Sequence, residues 1–375
     1  MNHPTLKSLT LGIGLFFTLP LVYANSSFPS SSDGTLYINK SKTRKVAPVK
    51  YGFHYEEIGM MGEGALHAEL IRNRSFEEAT PPAGLSVKNG LYENVPAPRV
   101  KEKKVFQADP LIGWTTYPLS YAPVFVSRTE TDPMSEENKY SMLVNVTEDI
   151  ANHPDALILN RGYYGMNLKT DTSYRLSLFL KSRNYSAPLR VFLVDELGQQ
   201  VSNVIEVNIE NRDWTKYTGE LKPEKNVQRG MLAIQPMSKG QFQIDVVSLF
   251  PSDTWNEGKS VFRKDIVQNL KEFAPCFIRF PGGCIVHGVN EETMYHWKKT
   301  LGPIENRPGQ WSKWAPYYRT DGIGYHEFYE LCEYVGADAM YVMPTGMICS
   351  GWVKQSPQWN FRHIDVDLDA YIQDA

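Results

Sequence analysis

Along residues 113–250, apolar and polar positions alternate. Tyr174, Leu176, Leu178 and Leu180 interleave with Arg175, Ser177, Phe179 and Lys181, and Phe242, Ile244 and Val246 interleave with Gln241, Gln243 and Asp245. In an extended chain this period puts successive side chains on opposite faces. With the apolar run 189–194 and the turn signal Asp195-Glu196-Leu197-Gly198 behind it, the pattern predicts antiparallel strands buried on one face, and hence a β-sandwich. No helical period occurs in this stretch.

After Pro251 the period changes. Phe262, Ile266, Leu270 and Phe273 fall on one face of a helix that Ser260 can cap and Pro275 ends. The apolar strand 276–280 follows and stops at Pro281-Gly282-Gly283. Asp321 can cap a second helix that buries Phe328, Leu331 and Val335, with Gly336 just past its end, and a strand at 339–343 stops at Pro344. Helix then buried strand, repeated, predicts a parallel α/β sheet. Earlier in the chain, 35–39 and 49–58 read as strands and 65–72 as one or two helical turns. Pro81-Pro82-Ala83-Gly84 separates this part from the alternating stretch. About three strand–helix units are visible before Ala375, whereas a closed (β/α)₈ barrel has eight in about 250 residues. The expectation is a barrel domain cut short.

Composition narrows the function. The 375 residues carry 39 Lys+Arg against 42 Asp+Glu, a net charge of −3, which argues against a nucleic-acid partner held by phosphate contacts. Lys7, the apolar run 9–22 and Val22-Tyr23-Ala24 read as a signal peptide over 1–24, so the protein is expected to be exported, periplasmic or extracellular. That run of about 14 residues falls short of the about 20 needed to span a bilayer, so no membrane anchor is expected. A Ser-rich leader fills 25–34. Cys276, Cys284, Cys332 and Cys349 have no zinc-site spacing; they read as buried thiols, and neither metal nor cofactor is expected.

Candidate chemistry gathers at strand ends. Arg279-Phe280-Pro281-Gly282-Gly283-Cys284 leaves a strand where α/β sheets hold ligands, and its glycines allow backbone to approach one; a plain tight turn is the alternative. Arg279, in an apolar strand, needs a partner such as a carboxylate. Glu56 and Glu57 end another strand and face opposite ways, so at most one enters a given site. His54 and His67 read as structural. Trp297, Trp311 and Trp314 sit in a Gly- and Pro-broken stretch, either as a sugar platform or as packing.

These motifs resemble a family. Residues 51–77, YGFHYEEIGMMGEGALHAELIRNRSFE, are similar to the opening of α-L-arabinofuranosidases of glycoside hydrolase family 51, and RFPGGC at 279–284 is similar to its second-strand motif. The residues at 297–308, DGIGYHEF at 321–328 and YVMPTG at 341–346 continue the resemblance in family order. NRSFEE, Gly113-Trp114, Asn160-Arg161-Gly162-Tyr163-Tyr164-Gly165 and Asp213-Trp214-Thr215-Lys216-Tyr217 resemble a carbohydrate-binding module. The implied fold is α/β plus all-β: the N-terminal part of a (β/α)₈ TIM barrel, interrupted by a jelly-roll β-sandwich. The first barrel strand and turn would occupy 49–80, the insertion 81–253 and the barrel continuation 254–375, with 25–48 supplying a strand to an absent C-terminal sandwich.

The resemblance implies a retaining glycosidase that releases terminal α-L-arabinofuranosyl units from arabinan or arabinoxylan, with arabinose-containing polysaccharides as partners. It leaves room for a homo-oligomer of the complete protein. It assigns sugar binding to Glu56, Cys284, Gly283 and Trp314 (or Trp311 in place of the last), and an orienting role to Glu57 and Arg279. Its acid/base and nucleophile glutamates have no match before Ala375, so no catalytic residue is assigned and the chain alone is expected to be inactive. A non-catalytic carbohydrate-binding protein, or another glycosidase of the same barrel clan, is the alternative.

Overall fold

The computed structural model describes residue 41 and residues 51–79, 86–89, 91–93, 109–118, 123–150, 153–209, 211–288, 294–312 and 317–344. The expected signal peptide, leader and strand at 35–39, together with Trp314 and Cys349, lie outside the described residues. From residue 51 onward the described residues belong to one compact unit, Lys50–Ala375.

The protein is mostly β-sheet with few helices. One antiparallel sheet runs Thr215–Leu221, Tyr174–Ser182, Gly240–Pro251, Ser141–Val146, Val124–Thr129 in spatial order. A second runs Ile205–Asn208, Pro188–Val194, Val227–Pro236, Leu157–Asn160, Trp114–Tyr117, with Met166–Leu168 also pairing with Val227–Pro236. The apolar halves of the alternating runs meet between the sheets. Leu176, Leu178, Leu180 and Val144 from the first pack with Ile158, Val191, Leu193 and Leu232 from the second in one buried core. Ile71 and Phe76 enter the same core from an earlier part of the chain, and the Phe76 ring lies 5.5 Å from that of Trp114.

The alternation holds for the inner face and fails on part of the outer one. Lys181, Gln243 and Asp245 are buried, although the period points them away from the core. The loop ahead of Ser141 meets the first two. Lys181 pairs with the Asp132 carboxylate beneath the Trp214 ring, and Gln243 donates to the Thr131 carbonyl at 3.0 Å and the Ser141 hydroxyl at 2.9 Å. Asp245 differs: one carboxylate oxygen accepts from the Val246 amide at 2.7 Å, the other has no hydrogen-bond partner among the described residues, and burial pushes its pKa well up.

A separate three-stranded parallel sheet has Phe277–Phe280 at its centre, flanked by Gly52–His54 and Asp338–Tyr341. Helices Lys264–Phe273 and Tyr325–Val335 pack on it through Val267, Phe328, Leu331 and Val335. Both helices start later than the caps expected for them. The Ser260 hydroxyl accepts from the Phe262 amide, and the helix begins at Lys264. Asp321 is buried ahead of the second helix, whose first turn is capped by Glu327 through the Gly324 amide at 2.9 Å. Phe273 is 54% exposed instead of buried, its ring lying against Tyr51 and Phe53 at the sheet's edge. Gly336, at φ 77°, closes the helix as expected.

The expected helical turns at 65–72 reduce to one wide turn, Gly62–Leu66, and the chain then joins the two parts of the fold. On one side Ala68 N donates to Val261 O and Arg263 N to Leu66 O; on the other, Leu70 N donates to Leu249 O and Val247 N to Arg74 O. Glu69, fully buried, accepts from the Ile71 and Leu249 amides and from the Ser248 hydroxyl. Burial pushes its carboxyl pKa up, against the pull of Arg74 and these donors.

Candidate functional site

The parallel sheet sets the geometry. Its register aligns His54 with Arg279, and Tyr55 N donates to Arg279 O at 2.8 Å, so residues 55–57 leave the sheet beside the turn that follows Phe280. His54 and Glu56, two apart, lie on the same side. The Arg279 guanidinium stands 2.9 Å from His54 Nε2, and the same nitrogen is 3.6 Å from a Glu56 carboxylate oxygen. The three side chains form a line along the strand ends. The partner expected for Arg279 is thus an imidazole, with the carboxylate one step further on.

Glycine is required in the next turn. A Cβ on Gly282 (φ 149°) would lie 2.6 Å from Glu56 Cγ and 2.5 Å from an Ile285 methyl. The carboxylate stem therefore lies directly against the Pro281-Gly282 backbone. Gly283 follows, and Cys284, a half-buried cysteine outside any disulfide, starts the short helix Cys284–His287. Glu56, Gly282, Gly283 and Cys284 are brought together at the C-terminal ends of adjacent parallel strands, where an α/β sheet exposes side chains and backbone to ligands.

Glu57 faces the other way, as the alternation requires. Its carboxylate accepts from the Gly62 amide at 2.8 Å and the Tyr55 hydroxyl at 3.4 Å, and it is 7% exposed. It shapes the loop instead of meeting the Glu56 side. Trp297 and Trp311 are buried, Trp297 in the core with Phe280 and Phe328, which favours the packing reading.

Behind the strand ends lies a charged interior that the sequence reading missed. Arg307 bonds both carboxylate oxygens of Glu327 at 2.7 and 3.0 Å and reaches the Gly302 and Asp321 carbonyls. Burial works against the Glu327 charge, but these bonds outweigh it and hold its pKa below the usual range. Arg319 pairs with Asp321 at 3.5 Å and lies over the Tyr295 ring. Burial raises the Asp321 pKa despite Arg319. Glu63 accepts from the Thr320 amide and hydroxyl and from the Tyr163 hydroxyl. His67, enclosed beside these groups, has its pKa pulled down to about 4 by burial, so its ring is neutral near pH 7. The one available sequence signal was spacing: Glu327 sits three residues after Gly324, the interval of a capping box. Among the described residues no group of three His, Cys, Asp or Glu side chains could hold a metal ion.

Comparison with known proteins bears out the resemblance read from the motifs. Residues 269–375 match the family model described as the α-L-arabinofuranosidase 1 domain. α-L-Arabinofuranosidase 1 of Arabidopsis thaliana is 29% identical over 81% of this chain and 41% of its own length. An extracellular exo-α-L-arabinofuranosidase of Streptomyces chartreusis is 27% identical over 88% of this chain and 37% of its own. The chain thus spans about two-fifths of the length of these curated relatives. An arabinose-bound family 51 α-L-arabinofuranosidase shares the fold, with a TM-score of 0.65 and 23% identity over 80% of this chain and 45% of that one.

Proposed function

We propose that this chain, similar in sequence and fold to family 51 α-L-arabinofuranosidases, supplies part of the sugar-binding face of a retaining enzyme that releases terminal α-L-arabinofuranosyl units from arabinan or arabinoxylan. In this reading the parallel strands are the first three of a (β/α)₈ barrel. The two antiparallel sheets are a sandwich inserted after the first strand, over 81–253. Residues 1–24 direct export. Glu56 takes sugar hydroxyls and the Gly283 backbone and Cys284 border the same ring, with Trp314 the aromatic that the family resemblance assigns to it. Arg279 and His54 stand beside Glu56 as orienting groups, while Glu57 holds the loop behind.

One observation carries the reading: Glu56 is laid against Gly282 at the strand ends, with His54 and Arg279 in line behind it. A charged side chain held this firmly beside glycine backbone suits recognition of a small, hydroxyl-rich ring. The described residues bind and orient the sugar. Bond cleavage needs an acid/base and a nucleophilic carboxylate about 5 Å apart, and none of the described residues is assigned to either role.

The test is made on the full-length gene product with 4-nitrophenyl glycosides. Glu56→Gln should lower kcat/KM on the α-L-arabinofuranoside roughly tenfold to a hundredfold, the scale of one or two lost transition-state hydrogen bonds. Unchanged kcat/KM would remove Glu56 from the site. Faster release from a pyranoside would overturn the arabinofuranosidase reading.

A further inference from the structure

A cleft of about 560 Å³ runs between the strand Met166–Leu168 and the helix Lys264–Phe273, and neither Glu56, Gly283 nor Cys284 lines it. Its volume falls in the range of about 300–1,000 Å³ usual for ligand sites. One wall is the turn 161–165, which is pinned from behind. The Asn160 side chain donates to Arg72 O at 3.0 Å and accepts from Gly162 N at 2.8 Å, and Gly165 N closes onto Arg161 O. Tyr163 turns inward, its hydroxyl 3.2 Å from Glu63 and its ring filling the space beside Gly64, where any Cβ would clash at 2.6 Å. Tyr164 is left 80% exposed at the mouth of the cleft. A lone exposed aromatic means little; an aromatic held on a pinned turn over a cleft of this size, with polar side chains among its lining, is a candidate binding surface.

The rest of the lining says what it would bind. Asn167 and Gln268 offer amides and Asp253 a carboxylate; the three cations Lys169, Arg263 and Lys264 face the three carboxyls of Asp253, Asp265 and Glu69, with Arg263 bound to Asp265. That balance gives no net field for a polyanion. Thr254, another lining residue, is 2% exposed, and its hydroxyl has no hydrogen-bond partner among the described residues. A buried hydroxyl of this kind ordinarily has one. A sugar presents an apolar C–H face together with hydroxyls that both donate and accept, which matches a tyrosine face ringed by amides and carboxylates.

We propose that this cleft is a second saccharide site, which takes a neutral oligosaccharide with one ring stacked on Tyr164 and its hydroxyls met by Asn167, Asp253 and Gln268. It holds chain and cleaves nothing, so it stands apart from the strand-end site.

Calorimetric titration of the whole chain with xylotetraose and with linear arabinotetraose tests this. At least one should bind. Tyr164→Ala, at a position too exposed to unsettle the fold, should weaken binding at least tenfold, and Asp253→Ala should weaken it severalfold. Glu56→Gln should leave this binding unchanged. The proposal fails if neither tetrasaccharide binds, if Tyr164→Ala binds as the parent does, or if tetragalacturonate binds more tightly than both. Binding abolished by Glu56→Gln and untouched by Tyr164→Ala would also defeat it, while leaving the strand-end reading intact.

Discussion

Gly282 is the residue on which the strand-end geometry turns. Alanine there must displace Ile285 or the Glu56 stem, both within 2.7 Å of the new Cβ, at a φ of 149°. Overpacking of this kind costs about 1–3 kcal/mol, so Gly282→Ala should lower the urea midpoint and, by moving Glu56, reduce activity of the full-length product beyond the stability loss. His67 makes a second prediction. Its folded-state pKa of about 4 lies below the ordinary 6.5. Between those values the unfolded chain binds a proton that the folded chain refuses, so the stability this residue contributes is intact above pH 6.5 and is lost as pH falls towards 4. Glu63 and Glu327 favour the proton and Arg74 and Arg307 oppose it, but burial dominates. From pH 7 to pH 5 the loss should be about 2 kcal/mol. Denaturant titrations at both pH values should show it in the parent and not in His67→Gln; an equal loss in both would refute the assignment. The sequence revealed Glu56 and the Pro-Gly-Gly turn, because strand ends and glycines leave local marks. It did not reveal the role of His54, although the same period of two that separated Glu56 from Glu57 puts His54 on the Glu56 side.

Among the elements, those with a strong period were legible and their starts were not. The strand Tyr174–Ser182 follows the alternation because a core supplies the buried side. The caps misled because Ser and Asp bond to nearby backbone in several ways: Ser260 serves a turn, and Asp321 lies in the buried charge cluster. Trp297 and Trp311 could not be placed from composition, since an aromatic in a broken stretch suits core and platform alike. The helix end at Gly336 was readable and is testable. Its φ is 77°, and nothing lies within 4 Å of the point an alanine Cβ would occupy, so Gly336→Ala meets only backbone strain. A loss of about 1 kcal/mol is expected by thermal or urea unfolding. A much larger loss would show that the turn into Asp338–Tyr341 also depends on it.

At the scale of the molecule, the two-sheet core draws on residues outside the alternating stretch. Ile71 and Phe76 are 1% and 0% exposed within it, and the Trp114 indole donates to Asn73 O at 3.0 Å. Burying a Phe or an Ile side chain contributes about 1.5–3 kcal/mol each. A fragment of residues 67–250 should therefore be more stable than residues 85–250 by roughly 5 kcal/mol, read from unfolding curves followed by circular dichroism. Equal stability would mean that the earlier segment only rests on the sheets. No local pattern in 67–78 announces this packing, because the partners lie more than a hundred residues away in places.

That same segment is hydrogen-bonded to Val247 and Leu249 on one side and to Val261 on the other. Only a few residues separate the two sets of bonds, so release on one side pulls on the bonds of the other, and the two parts of the fold should open together. Amide hydrogen exchange would register this as a common clock: the Ala68, Leu70, Val247 and Leu249 amides should share one slow opening free energy, and a denaturant should quicken all four in parallel.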